Sequence, residues 1–203
     1  MISPVRRLMA VFCAAIFLAR SVCATTVVPP TFRQLVTQAE FIVRAEVRAV
    51  RCEETIRDGG SVIHTYVTIA VLRSLKGDAP ALLELRVLGG TVGDRTLHVA
   101  GVPQFVPGEK CLLFIEHNGE QFCPLVAIMY GRYRVERRAG DGVEIVRRDN
   151  GAPLRTSDDV ALPMSASLPA LAAGAAQSGA GMTLADFETS IAVELANAAT
   201  PNQ

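Results

Sequence analysis

Histidine, serine and carboxylate side chains are the residues of this chain that could perform acid–base or nucleophilic chemistry. His64, His98 and His117 are far apart, and no His-Glu-x-x-His, Cys-x-x-Cys or Gly-x-Ser-x-Gly sequence occurs. The neighbouring acids Glu53-Glu54 and Asp158-Asp159 fall in predicted turn or linker sequence, where solvated charge is the simpler interpretation. We therefore predict that the protein is not an enzyme and uses no metal or cofactor. An unrecognised hydrolase is the alternative.

Two segments have the character of binding loops. Residues 90–109 are rich in glycine and lack a periodic pattern, and loops of this length are often functional. Within them Gly93, Asp94 and Phe105 are candidate contact residues, because loops held by a rigid scaffold often carry recognition. Thr25 and Thr26 are further candidates near the expected mature N-terminus. These segments favour a binding or interaction module.

Arginines crowd the last predicted hairpin, but acidic residues interleave with them. Pairing across the strands explains most of this pattern, since Glu136 alternates with Arg132 and Arg134. The alternative is a carbohydrate or anionic cell-wall polymer bound by Arg132, Arg134, Tyr133 and Tyr66, with the tyrosine rings stacking on the ligand. That alternative stays open from the sequence.

Three of the five cysteines remain once an N-terminal signal is removed: Cys52, Cys111 and Cys123. An oxidising compartment permits a disulfide, and an odd number leaves one thiol unpaired. Cys111 and Cys123 flank a predicted hairpin and form the candidate disulfide. The alternative is that all three are small apolar residues within strands.

Residues 1–24 have the composition of a cleaved export signal. Two arginines precede an apolar run over residues 8–19, and Val22-Cys23-Ala24 supplies small residues for signal peptidase. The apolar run is shorter than a membrane-spanning helix requires. We predict a periplasmic or extracellular protein that begins at Thr25 and whose mature chain has no transmembrane segment, with cleavage before Cys23 as the alternative.

Charge argues against one class of partner. The chain of 203 residues is neutral overall, and removal of the signal leaves 17 basic and 20 acidic residues. Proteins that bind nucleic acid are normally clearly basic. The partner is therefore expected to be an extracytoplasmic protein or polymer, and the oligomeric state is undetermined by the sequence.

Alternating apolar residues predict an antiparallel β domain. A capping box at Thr31 starts a short helix over 32–39, and period-two patterns predict strands over 41–50, 63–71 and 82–88. Further strands are expected over 111–116 and 122–130, followed by a hairpin of 131–136 with 143–148. The fold class is mainly β: a small antiparallel OB-like barrel over residues 25–150, with a short N-terminal helix and a C-terminal helix.

The C-terminal region changes composition. Residues 151–182 are rich in Ala, Ser, Gly and Pro, which predicts a flexible linker. Residues 183–203 form a helix, over about 184–198, and a tail. One helix face carries Leu184, Phe187, Ile191 and Leu195, and it either docks on the barrel or contacts a partner.

Five segments resemble a set of uncharacterised exported bacterial proteins: FRQLVTQAEFIVRAEVRAV, YVTIAVLRSLKGDAP, LRVLGGTVGD, GVPQFVPGEKCLLFIEHNG and YGRYRV. The resemblance covers about residues 25–150 and implies no defined activity. The order of helix, AEFIVRAEV, hairpin and VTIAVLRSLKG is also similar to the N-terminal, netrin-type domain of tissue inhibitors of metalloproteinases. Those inhibitors place a terminal cysteine amine and a Cys-x-Cys on the target zinc. This chain, cleaved after Ala24, begins Thr25-Thr26-Val27 and has no Cys-x-Cys.

Together these observations predict a secreted, non-enzymatic binding module, with a protease-inhibitor-like role as one version of it. The metalloproteinase-inhibitor resemblance implies an OB-like fold, and it carries over no functional residue.

Overall fold

Antiparallel strands are the main regular structure of the described chain, as the alternating pattern predicts. The computed structural model describes residues 27–57, 60–164 and 181–199. The helices in these ranges are α1 (Phe32–Gln38) and α2 (Leu184–Ala199), with short 3-10 helices at Ile128–Gly131 and Ser157–Ala161. The strands are β1 (Phe41–Arg57), β2 (Gly60–Lys76), β3 (Leu82–Leu88), β4 (Gly90–Val92), β5 (Arg95–Leu97), β6 (Lys110–Ile115), β7 (Arg132–Arg137) and β8 (Glu144–Arg148).

Six strands form one open antiparallel sheet in the order β3-β2-β1-β6-β7-β8, and β4 and β5 form a separate hairpin. The long hairpin of β1 and β2 is the centre of the large sheet. Register shifts in β1 lie between Ile42 and Val43, between Arg44 and Ala45, and between Val47 and Ala49. Such bulges bend a strand and increase its twist. The sheet is therefore curved, and both of its faces are available for packing.

Strand β6 shows why each face carries its own core. Cys111, Leu113 and Ile115 point to one face, whereas Leu112 and Phe114 point to the other, and all five are buried. Successive side chains of a strand alternate between faces. An unbroken apolar run is thus the pattern of a strand covered on both sides.

The two helices cover one face of the sheet. The Thr31 hydroxyl accepts from the Gln34 amide and the Gln34 side chain accepts from the Thr31 amide, which confirms the predicted capping box. Leu35 and Val36 of α1 are fully buried in the core that also holds Phe187 of α2.

Helix α2 docks on the sheet with its apolar face, which is the first of the two alternatives that the sequence leaves open. The ring of Phe187 lies 5.0 Å from Tyr133 and 5.8 Å from Phe32, measured between centroids. The Glu188 carboxylate adds an ion pair to the sheet, with Oε2 2.5 Å from Arg73 Nη1 and Oε1 3.9 Å from Arg44 Nη1. This face of α2 is therefore occupied within the chain.

Irregular segments cover the opposite face of the sheet. Val102 and Phe105 pack against the core formed by β1, β2, β3 and β6, together with Cys123 and Leu125. Residues 122–130 are not the strand that the sequence predicts, because only Leu125 pairs with β6, in an isolated bridge to Ile115. A 3-10 helix then turns the chain into β7.

Part of the predicted flexible linker belongs to the core. Residues 151–164 contain the 3-10 helix at Ser157–Ala161, and the Leu154 and Val160 side chains are fully buried against the helices. Leu154 also donates its amide to the Val146 carbonyl and accepts from the Met182 amide. The prediction of a linker is wrong for this part, and residues 165–180 lie outside the described ranges.

No helix within these described ranges has the length and apolar character needed to cross a membrane. The predicted export signal, residues 1–24, also lies outside those ranges.

Candidate binding pocket

An open pocket of about 300 Å³ lies between the sheet and the segment from Gly89 to Phe105. It occupies the end of the loop-covered face, where residues of β1, β2 and β3 meet the small β4–β5 hairpin. The sequence predicts a long binding loop without regular structure over 90–109. The structure instead places a short hairpin and a packed loop there, and together they form one wall of a cavity.

The floor of the pocket is a row of paired strand residues. Cys52 of β1 lies opposite Thr65 of β2, and Thr65 lies opposite Val87 of β3. Residues in register on neighbouring strands point to the same face. Val50 adds an apolar side chain beside this row.

Two glycines let the chain pass directly over that floor. Gly89 and Gly90 have φ angles of +103° and +134°, a region in which side chains with a Cβ are strained. A Cβ on Gly90 would lie 2.5 Å from Thr65 Oγ1 and 2.7 Å from Cys52 Sγ. The Thr65 hydroxyl donates to the Gly89 carbonyl over 2.6 Å, which fixes the crossing. The Gly-Gly pair is therefore required by close approach as well as by backbone conformation.

The mouth of the pocket is polar, and no Lys, Arg, Asp or Glu is among its described lining residues. Thr91 and Thr96 face each other across the β4–β5 hairpin with their hydroxyl oxygens 3.0 Å apart. His98 and Gln104 are exposed at the rim. The mouth therefore presents hydrogen-bonding side chains to solvent.

The outer wall is held from behind by a buried arginine. Phe105 lines the pocket, and the Arg132 guanidinium lies 4.6 Å from the centre of its ring. Arg132 is 1% exposed, and it donates to Asp149 Oδ1 at 2.7 Å and to Glu109 Oε2 at 2.5 Å. Glu109 ends the loop that contains Phe105, so the ion pair fixes the wall to β7 and to the end of β8.

The acidic partners of Arg132 are partly withdrawn from water. Burial raises the pKa of Asp149, and the nearby Arg132 and Arg134 charges oppose that rise. Arg134 Nε lies 3.4 Å from Glu109 Oε1, and an Arg134 Nη donates to the Asp149 carbonyl at 3.1 Å. Two arginines and two acids thus form one cluster, which we call the Arg132 cluster.

Two predicted contact residues cannot reach a ligand in this conformation. Arg132 is committed to the Arg132 cluster, and Tyr133 is fully buried between Phe114 and Phe187. Alternation along β7 directs Tyr133 to the helix-covered face and Arg132 to the other face. Arg132 and Tyr133 therefore do not belong to one ligand-binding surface.

The other predicted residues are dispersed. Tyr66 is half-buried on the face opposite the pocket floor, where the Arg51 guanidinium lies 4.3 Å from its ring centre. Gly93 and Asp94 are exposed at the turn between β4 and β5, and Gly93 has a φ of +60°. Arg134 is partly exposed in the Arg132 cluster. Among the predicted contact residues that the structure describes, Phe105 lies in the pocket lining.

Thr25 and Thr26 lie outside the described residues.

The cysteines within the described ranges are free thiols, so the candidate disulfide between Cys111 and Cys123 is not formed here. Both of these thiols are buried, and that burial raises the pKa of each to about 12. Cys52 differs, because it is partly exposed and lines the pocket. Cys52, the cysteine outside the candidate disulfide, is therefore the thiol that a ligand in the pocket could contact.

The histidines lie in different environments. His117 lies 3.3 Å from the Glu40 carboxylate, and His64 contacts Tyr66 on the face away from the pocket floor. Burial, and to a smaller extent Arg86, lowers the pKa of His64. His98 is at the pocket rim. Across the residues that the structure describes, no group of three or more His, Cys, Asp and Glu side chains is placed to hold a metal ion.

Sequence reasoning missed the pocket floor and the role of Gly89-Gly90. Cys52, Thr65 and Val87 are distant in sequence, and only strand register brings them together. The Gly-Gly pair after a strand was a usable signal, since it marks either a turn or a close backbone approach.

No protein-family model matches this chain, and no curated protein matches it.

Proposed function

We propose that this chain is an exported, non-enzymatic binding module whose pocket beneath Gly89–Phe105 holds a small ligand outside the cytoplasm. The composition of residues 1–24 supports export. The observation that carries the binding role is the cavity of about 300 Å³ on a rigid sheet. That volume lies at the lower end of the range for small-molecule sites.

The walls of the pocket support a preformed site. The glycine crossing is fixed to the floor by Thr65, and the far end of the loop is fixed by Glu109 and Arg132. The loop is also bonded through its backbone, since Val47 donates to the Glu109 carbonyl and accepts from the Gly108 amide. A site that is ordered before binding loses less conformational entropy when the ligand enters.

We also propose that the curved sheet is an incomplete OB-like barrel. Its β3 edge bonds to the segment that follows β6: the Arg86 amide donates to Asn118 Oδ1, and the Leu88 amide donates to the Phe122 carbonyl. These bonds connect the first strand of the sheet order to a segment that continues from the fourth. They support a sheet that nearly closes into a barrel. Barrels of this kind commonly carry ligand pockets.

An anionic-polymer site has less support. Of its predicted residues, Arg132 and Tyr133 are buried, and Tyr66 lies on a different part of the surface from Arg134. The protease-inhibitor version uses the loop over 90–109 together with the segment that begins at Thr25 and Thr26, and these two residues lie outside the described ranges. A binding assay on the pocket is therefore the more direct test.

A blocked-pocket variant tests the binding role. Thr96→Trp places a large ring at an exposed position of the pocket mouth, where a strand tolerates an aromatic side chain. Thr55→Trp is the matched control, because Thr55 is exposed on β1 and alternation directs it away from the pocket. Ligand-observed NMR would screen one mixture of neutral, anionic and cationic fragments against the three proteins.

We expect some fragments to bind the native chain and Thr55→Trp but not Thr96→Trp. If no fragment distinguishes Thr96→Trp from the native chain while all three proteins unfold at similar temperatures, the pocket is not a binding site and the proposal fails.

A further inference from the structure

The charge of the pocket lining points to a class of ligand. Every described residue that lines the pocket is apolar or uncharged-polar, except that Cys52 and His98 have side chains able to ionise. No Lys, Arg, Asp or Glu is among these lining residues. A charged ligand would lose water on entry without gaining an opposite charge, and that loss is costly in a partly enclosed site.

Charged groups that border the pocket are paired with each other. Arg132, behind Phe105, is held by Glu109 and Asp149. On the hairpin, Arg95 pairs with Glu54, whose carboxylate also accepts from the Ser61 hydroxyl. A ligand ion would have to compete with these existing pairs.

Polar groups in the pocket are distributed unevenly between floor and mouth. The Thr65 hydroxyl is already engaged with the Gly89 carbonyl, and Val50, Val87 and Phe105 present apolar surface. At the mouth, His98 and Gln104 face solvent and offer donors and acceptors. The lining therefore suits a molecule with an apolar part inside and a neutral hydrogen-bonding group outside.

We infer that the ligand of this pocket is an uncharged, amphipathic small molecule, an inference that rests on the proposed function. Three probes isolate the effect of charge: 2-naphthamide, 2-naphthoate and 2-naphthamidine share one ring system and carry a neutral, an anionic and a cationic end. Each would be titrated at pH 8 into ¹⁵N-labelled native chain, Thr96→Trp and Thr55→Trp. The amide signals of Gly89, Gly90 and Leu97 report occupancy.

We expect 2-naphthamide to bind at least about tenfold more tightly than either charged analogue, because a charged end loses hydration on entry without meeting an opposite charge. Thr96→Trp should abolish the shifts and Thr55→Trp should retain them. Bound 2-naphthamide should also slow alkylation of Cys52 by N-ethylmaleimide, because the thiol lines the same space.

Equal or tighter binding of the naphthoate or the naphthamidine would overturn this inference and leave the binding role intact. Absence of pocket binding by all three probes would also overturn it, and the mixed-fragment screen would then decide separately whether the proposed function fails.

Discussion

Replacing Arg132 with methionine tests whether the Arg132 cluster holds the pocket wall. The side chain is 1% exposed and bonds two carboxylates, at 2.7 Å to Asp149 and 2.5 Å to Glu109. Methionine keeps much of the apolar stem but removes the charge. Both acids would then share a largely buried site with Arg134 as the remaining nearby cation.

The expected loss of stability follows from that uncompensated charge. Removal of one partner from a buried pair costs about 3–5 kcal/mol, and the lower end applies here because Glu109 and Asp149 retain 17% and 18% side-chain exposure. For a domain of this size, about 3 kcal/mol lowers the midpoint of thermal unfolding by roughly 6–12 °C. Urea unfolding followed by circular dichroism would measure the free-energy change.

The loss should depend on pH in a defined direction. Burial already raises the pKa of Asp149, and Arg132 opposes that rise, so the variant should raise it further. Between the ordinary aspartate pKa and the raised one, the folded state binds a proton that the unfolded state does not. Stability of the variant therefore increases as pH falls from the raised pKa of Asp149 toward the ordinary aspartate value, and its deficit relative to the native chain narrows over that interval.

The matched control is Arg147→Met. Arg147 Nε pairs with Glu136 Oε2 at 2.7 Å, but this pair is much more exposed, so its loss should cost only about 0–1 kcal/mol. A loss below about 1 kcal/mol for Arg132→Met, or a deficit that does not narrow in acid, would refute the reasoning.

Two further predictions address the pocket and its thiols. In a chain prepared to begin at Thr25, which has three cysteines, native protein at pH 8 should take up one N-ethylmaleimide, at Cys52. A pKa of about 12 leaves Cys111 and Cys123 with a thiolate fraction of roughly one in ten thousand. Intact mass should show three adducts only after unfolding, and three in the native state would contradict the burial of Cys111 and Cys123. Gly90→Ala should destabilise the fold far more than Gly93→Ala, because only a Cβ at Gly90 meets atoms within 3 Å. Equal unfolding midpoints for the two variants would show that the chain at Gly90 is not tightly packed on the pocket floor.

Local patterns were sufficient to predict most of the regular elements. The capping box at Thr31 and the alternation in β1 and β2 are encoded by neighbouring residues, so helix and strands form where expected. The apolar face of α2 was also visible in the sequence, and the structure shows that this face packs on the sheet through Phe187. In each case the predictive pattern lies within one helix or strand, and that element needs only a complementary surface to pack against.

Contacts between residues that are far apart in sequence explain where the predictions failed. Leu154 and Val160 stand in a sequence poor in large side chains, and their burial depends on the docked helices and on a backbone bond to Val146. No local pattern reports such a partner. Tyr133 is different, since its alternation with Arg132 was visible in the sequence and already placed the two on opposite faces.

The same dependence on distant contacts explains why the candidate site could be located only in part. Residues 90–109 were marked by composition, but the pocket exists because Gly90 crosses Cys52 at one end and Glu109 meets Arg132 at the other. Both anchors join residues that are far apart in sequence. Between them the loop has little freedom to rearrange when a ligand enters, so affinity should depend on how well the ligand matches the existing lining. A loosened Arg132 anchor would therefore weaken ligand binding even where Phe105 and the pocket floor are unchanged.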